Sequence, residues 1–434
     1  MTVVTCQPVA AARRGFSLTE LFVAMTIALL VMGAVARLFV VFGRGVSQSQ
    51  ATVELSGKMR STAWQLRQDL AGATAKLVPR VAPEANAGYF ELLEGPQRDD
   101  TLAGHGTANL EADTDDILLF TTRSMAGPFV GRYGTGTIEA DHAEVAWFCR
   151  EAGADFQPVA GTKVYNLHRR QMLVAGFVGR PEFGTTNSIS GALPAAYTTY
   201  DLSLRAEGGV LLPNSLGDLT KRENRFMRSG TFPHALRTDA GSRAFADATF
   251  DDTDRVWEDV LLTNVIAFDV RVYDPQAKAQ PGASTTRFPG DPGYVVGSAA
   301  GASGAYVDLG WGGGTATAIA SGTAWPPAGQ TAFGSAGMRV RNAATNNTLP
   351  VATYDTWSLH YEFNGEDDDG DGIVDEGTNG ADNNADDQPD NPPEYETSPP
   401  YPVPLRGLEV RIRCYEPSSK QVRQITVRHT FVDR

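Results

Sequence analysis

The chain has 434 residues, with 37 Lys+Arg against 51 Asp+Glu and a formal charge of -14. That balance argues against nucleic acid as the main partner, because phosphate binding draws on clustered Lys and Arg. A hydrophobic share of 42% excludes a wholly disordered chain, 45 Gly and 25 Pro favour turns and long loops over a helical bundle, and three cysteines exclude a disulfide scaffold.

The first predicted element is a membrane span. Residues 21–36 carry no charge, and apolar character resumes after Arg37 through Phe42. As a helix, Phe16 to Arg37 covers roughly 32 Å, enough for a bilayer core. The basic pair Arg13-Arg14 lies just before it and would keep the N-terminus cytoplasmic. A secretory signal puts its small-residue cleavage site after the apolar run. Here the small residue, Gly15, comes before the run. Glu20 stands one turn into the span, where a carboxylate is costly unless paired or protonated. It reads as a residue with a partner, or as a glutamate snorkelling near the interface.

The stretch Arg14-Gly15-Phe16-Ser17-Leu18-Thr19-Glu20, followed at once by the apolar run, resembles the class III leader of type IV prepilins and pseudopilins. The resemblance implies cleavage by prepilin peptidase between Gly15 and Phe16, N-methylation of Phe16, and pairing of Glu20 with the N-terminal amine of a neighbouring subunit. It implies a single-pass inner-membrane protein with a cytoplasmic N-terminus and a periplasmic or extracellular head. The implied partners are other pseudopilins or pilins in a helical fibre or tip complex.

Beyond the span, Leu55, Met59, Ala63, Leu66 and Leu70 fall on one helical face. The helix is therefore expected to continue to about Ala75, with Arg60, Arg67, Gln68 and Asp69 on its other faces and Pro79 and Pro83 as stops. From about residue 85 the pattern turns to strands: 116–122, 143–150, 264–273, 408–415 and 422–432. Val270-Arg271-Val272-Tyr273-Asp274-Pro275 echoes Ile412-Arg413-Cys414-Tyr415-Glu416-Pro417, as expected of antiparallel strands with one face buried and one wet. The predicted fold class is α+β: a long N-terminal transmembrane and stem helix packed on an antiparallel β-sheet head with long loop insertions. This layout resembles minor pseudopilins of the PilW or GspJ kind. The domain reading is a leader at 1–15, a span at 16–43, a stem at 44–78 and a β-rich head at 85–434.

Residues 276–350 are rich in Gly, Ala, Ser and Thr and match no phosphate-loop pattern, so they read as flexible insertion loops. Residues 204–260, with Lys221-Arg222-Glu223-Asn224-Arg225, read as a partly helical, solvated insertion. The segment 364–390 is acidic. Asp367, Asp369 and Asp371, then Gly372 for the sharp turn, match the first half of a D-x-D-x-D-G calcium loop. The candidate ligand set is Asp367, Asp369, Asp371, Ile373, Asp375 and Glu376, for Ca²⁺. The twelfth position is Thr378 rather than Glu, so Glu376 or Asp382 would have to complete the shell. The alternative is a solvated acidic linker.

Cys149 and Cys414 sit on apolar strand faces and could form a disulfide if their strands adjoin, or remain two separately buried thiols. The six histidines form no H-E-x-x-H and no serine lies in a G-x-S-x-G elbow, so the expectation is not an enzyme. The leading reading is a minor pseudopilin or pilin-like subunit of a type II secretion or type IV pilus machine. Its rival is a membrane-anchored, calcium-dependent adhesin or binding module.

Overall fold

The computed structural model of the chain describes residues 17–75, 85–94, 112–152, 162–178, 200–207, 210–227, 258–281, 286–288, 294, 303–309, 338–341, 348–357, 373–374, 379–382 and 405–431. The chain divides into two compact units, Met1–Leu55 and Ser56–Arg434. It is an α+β protein.

The helix α1 runs unbroken from Leu18 to Ala71, 54 residues. Residues 17–50 are all exposed, and the helix is long and apolar enough to cross a membrane. The predicted face is present: Leu55, Met59, Ala63, Leu66 and Leu70 are all buried. The helix ends four residues short of the expected point, and the cause is local. A side chain on Gly72 would collide with the Arg123 carbonyl, whose residue's N–H donates to Gly72 O at 2.7 Å. The chain leaves the helix there and Ala73 bridges Thr122.

The strands in chain order are β1 (Phe90–Glu94), β2 (Ile117–Arg123), β3 (Phe129–Tyr133), β4 (Gly136–Ala140), β5 (His142–Glu151), β6 (Tyr165–Leu173), β7 (Leu204–Glu207), β8 (Val210–Pro213) and β9 (Glu258–Lys278). There follow β10 (Gln280–Pro281), β11 (Thr286–Arg287), β12 (Ser303–Val307), β13 (Met338–Arg341), β14 (Thr348–Asp355), β15 (Gly407–Glu416) and β16 (Gln421–Thr430). The main sheet has the order β13-β14-β1-β2-β5-β6-β9-β15-β16, with β12 also paired to β9, and its named pairings are antiparallel. The strands that carry the two echoing stretches, β9 and β15, are direct neighbours: Val270 lies opposite Val410 and Phe268 opposite Ile412.

The centre of this sheet is covered on both faces, because successive side chains point to opposite sides. On one face Trp147 and Arg169, paired across β5 and β6, meet the helix residue Asp69. On the other, Ile117, Leu119, Ala146 and Phe148 pack with Leu202, Leu204, Leu211, Leu219 and Phe226. Two expectations change as a result. Asp69 does not face solvent; it is buried. Arg271 is buried rather than standing on a wet strand face, where Asp269 and Asp308 pair with it.

The 204–260 segment is not simply solvated. It contains β7, β8 and short 3-10 turns, and Arg225 within it is fully buried. Its guanidinium donates to Glu91 Oε2 and Asp355 Oδ2, each at 2.7 Å, and lies 4.0 Å from the centre of the Tyr89 ring. A charge pair of this kind locks the excursion onto β1 and β14, for a lone buried cation would be prohibitive. The 276–350 segment likewise contributes strands, β12 beside β9 and β13 beside β14.

The long strand β9 bends. Asn264 has φ 55, a left-handed conformation that Asn tolerates better than most residues, and pairing with β6 is irregular around Tyr165 to His168. Past Val265 the β6 side of β9 is taken over by the backbone just before β2. Ala112 N–H donates to Ile266 O at 2.9 Å, and Phe268 N–H to Asp113 O at 2.7 Å. At the next step a side chain replaces the carbonyl: Val270 N–H donates to Asp116 Oδ2 at 2.6 Å. The sheet thus curls until the entrance of β2 lies against the middle of β9.

Candidate functional site

Two regions carry chemistry. At the start of α1, Ser17 and Glu20 form a reciprocal cap. Ser17 N–H donates to Glu20 Oε2 at 2.9 Å, Glu20 N–H donates to Ser17 Oγ at 3.2 Å, and Leu21 N–H closes the first helical turn on Ser17 O. The sequence S-x-x-E forms this pair because the first turn of a helix has no partners of its own for its N–H groups. Glu20 therefore has a structural role inside its own helix. Gly15 and Phe16 lie outside the described residues.

The second region arises where the curl closes. Glu94 ends β1, and Asp113, Asp115 and Asp116 line the entry to β2. Ligand oxygens of Glu94, Asp113 and Asp116 lie within 4.8 Å of one another, and all three residues are buried. Glu94 Oε2 accepts from Leu309 N–H at 3.2 Å, which ties it to the end of β12. Asp269 and Asp308, also buried, stand behind them. The Nε of Arg271 is 3.0 Å from Asp269 Oδ2 and 3.0 Å from Asp308 Oδ1.

Burial holds the Asp113 carboxyl well above the usual carboxylate range, and Asp116, Asp115, Glu94 and Asp269 push it further. Burial does the same to Asp116, followed by Asp269 and Asp115, while the Val270 N–H acts in the other direction. The cause is plain. Carboxylates crowded in a low-dielectric interior resist ionisation unless positive charge joins them. An all-oxygen set of this kind fits a hard cation.

The sequence reading did not find this centre. Its members come from positions 94, 113–116, 269 and 308, and the only local signal was the acidic run Glu111-Ala112-Asp113-Thr114-Asp115-Asp116 before an apolar strand, which reads as an ordinary turn. Of the proposed calcium-loop residues, Asp367, Asp369, Asp371, Asp375 and Glu376 lie outside the described residues. Ile373 is half-buried and Asp382 is exposed.

Cys149 and Cys414 are both buried and both free thiols. Their strands do not adjoin, since β6 and β9 stand between them. The curl nonetheless brings them within electrostatic reach. Burial, then Cys414, then Asp116 and Asp115 raise the Cys149 thiol, and burial pushes Cys414 up to about 12. Compared with known proteins, the chain matches no family model, no curated protein and no solved structure.

Proposed function

We propose that the chain is a pilin-like assembly subunit of the minor pseudopilin kind, without catalysis of its own. In this reading prepilin peptidase cuts after Gly15, residues 16–43 hold the mature chain in the inner membrane with its head outside the cytoplasm, and assembly proceeds by packing these helices side by side. The machine served is a type II secretion system or a type IV pilus.

The observation that carries the proposal is the unbroken helix α1. Its first half is apolar and exposed all round, which in water would be untenable and in lipid or a helical bundle is favourable. Its last turns are held against the face of an antiparallel sheet by Asp69. Glu20 fits as well. Its cap leaves the carboxylate exposed on the helix surface, where a neighbour's cationic amine could exchange for the intrahelical partner.

The test is the N-terminus of the protein extracted from membranes of a bacterium with an active prepilin peptidase. Mass spectrometry is expected to find a chain beginning at Phe16 with a methylated amine. An N-terminus at Met1, or a cut beyond Phe42, would end this reading.

A further inference from the structure

The buried carboxylates pose a question of charge. Glu94, Asp113, Asp115, Asp116, Asp269 and Asp308 are all buried, and each of the others lies within electrostatic reach of Asp113 or Asp116. Arg271 sits between Asp269 and Asp308, and Arg411 is 3.9 Å from Asp269. Among the described residues, these two guanidinium groups stand on the Asp269 side. Asp116 itself is 1% exposed. One of its oxygens takes the Val270 N–H, but the other, Oδ1, has no hydrogen-bond donor among the described residues. Native structures rarely leave a buried carboxylate oxygen in that condition, because desolvating it without a partner is costly.

We propose that Glu94, Asp113 and Asp116 form a buried binding site for a hard divalent cation, with Ca²⁺ the best fit. Three oxygens around one Ca²⁺ at about 2.4 Å can be at most about 4.8 Å apart, which is the limit the three carboxylates meet. Oxygen-only ligands favour such ions over zinc or copper, which prefer nitrogen and sulfur. Asp115, Asp269 and Asp308 add negative charge just behind the ligands, and the two arginines keep that outer layer from overcharging the site. These ligands come from residues 94–116 and are none of those in the acidic segment 364–390.

The consequence is structural. The ligands belong to the end of β1 and the entry to β2, and Asp116 is in turn bonded to β9. A bound ion would cross-link three strands at the point where the sheet curls. Because the site is buried, occupancy is coupled to folding, and the ion stabilises the native state by mass action.

The experiment uses the full chain in detergent, stripped with EGTA and then equilibrated with Ca²⁺. Bound ions per chain are counted, and melting is followed with and without Ca²⁺, for the wild type, Asp116→Asn and the double variant Asp369→Asn/Asp371→Asn. Asn matches Asp in shape and removes only the charge, so Asp116→Asn is expected to fold and to bind one ion fewer than the wild type. The double variant is expected to keep that ion and to melt at a higher temperature with Ca²⁺ than with EGTA. If Asp116→Asn does not fold, the double variant decides alone. Equal ion counts in wild type and Asp116→Asn, or a double variant whose melting ignores millimolar Ca²⁺, overturns the proposal.

Discussion

Glu20 has an observed role, the cap, and a proposed one, pairing with a neighbour's amine, and the two can be separated. A capping box accepts Gln as readily as Glu, since either side chain reaches back to the N-cap N–H. Pairing with a neighbour's ammonium group needs the charge. Glu20→Gln is therefore expected to keep the helix start intact, as read by amide exchange at Leu18 to Leu21, yet to leave the chain in the membrane and out of fibres. Glu20→Ala should lose both. A Gln variant that assembles as well as the wild type would reduce Glu20 to a cap. Asp69 makes the opposite case, a residue whose work lies wholly in the fold. Arg169 grips it with Nε at 2.7 Å and Nη2 at 2.9 Å, and Trp147 Nε1 adds a third bond at 3.0 Å. Removing one member of a buried pair strands the other, at a cost of about 3–5 kcal/mol. Asp69→Ala is expected to lose that much in urea unfolding of the full chain in detergent, and Asp69→Asn less, because it retains an acceptor. A loss under about 1 kcal/mol for Asp69→Ala would mean the pair is solvated, as exposed pairs are.

Among the elements, those with a simple period were legible and those that bury charge were not. The strands Ile117–Arg123, His142–Glu151, Gly407–Glu416 and Gln421–Thr430 follow the expected ranges within a few residues, because short β-rich runs bounded by turn residues, or alternating apolar and polar side chains, mark a strand. The missed strand Tyr165–Leu173 contains His168, Arg169 and Arg170, all buried. Polarity read as exposure conceals such a strand. The same error hid Asp69 and Arg225, whose partners Arg169, Glu91 and Asp355 are remote in sequence. The bend in β9 belongs to this scale too. Val at position 264 would have to take φ 55, at a cost of about 1–2 kcal/mol for an L residue with a branched Cβ, or flatten the bend and pull 112–116 off the strand. Asn264→Val is thus expected to lower stability and weaken Ca²⁺ binding together, while Asn264→Gly should lose much less, since Gly adopts positive φ freely. Equal losses for Val and Gly would assign the effect to the Asn side chain and not to the backbone.

For the molecule as a whole, the net charge is spread differently from its first appearance. The segment 362–396 holds 14 acidic residues and no Lys or Arg, so the acidity looks like a property of one loop on a nearly neutral body. The body has its own acidic centre, concealed because its excess is balanced by Lys and Arg elsewhere in the sequence. The division of the chain at Leu55 leads to the last expectation. The pairs that fix the sheet, Asp69–Arg169, Arg225–Glu91 and the carboxylate centre, all lie in Ser56–Arg434. Nothing in residues 18–46 is buried, so removing them takes away no core. A chain starting at Ser47, which keeps Leu55 and the whole buried face of α1, is expected to be soluble without detergent. It should melt within about 3 °C of the full chain, since 1 kcal/mol moves the midpoint of a domain this large by about 2–4 °C or less. Circular dichroism melts of both chains at equal Ca²⁺ provide the comparison. A drop far beyond that range would show that the apolar half of α1 contributes to the stability of the sheet, and would make the anchor part of the fold instead of an attachment to it.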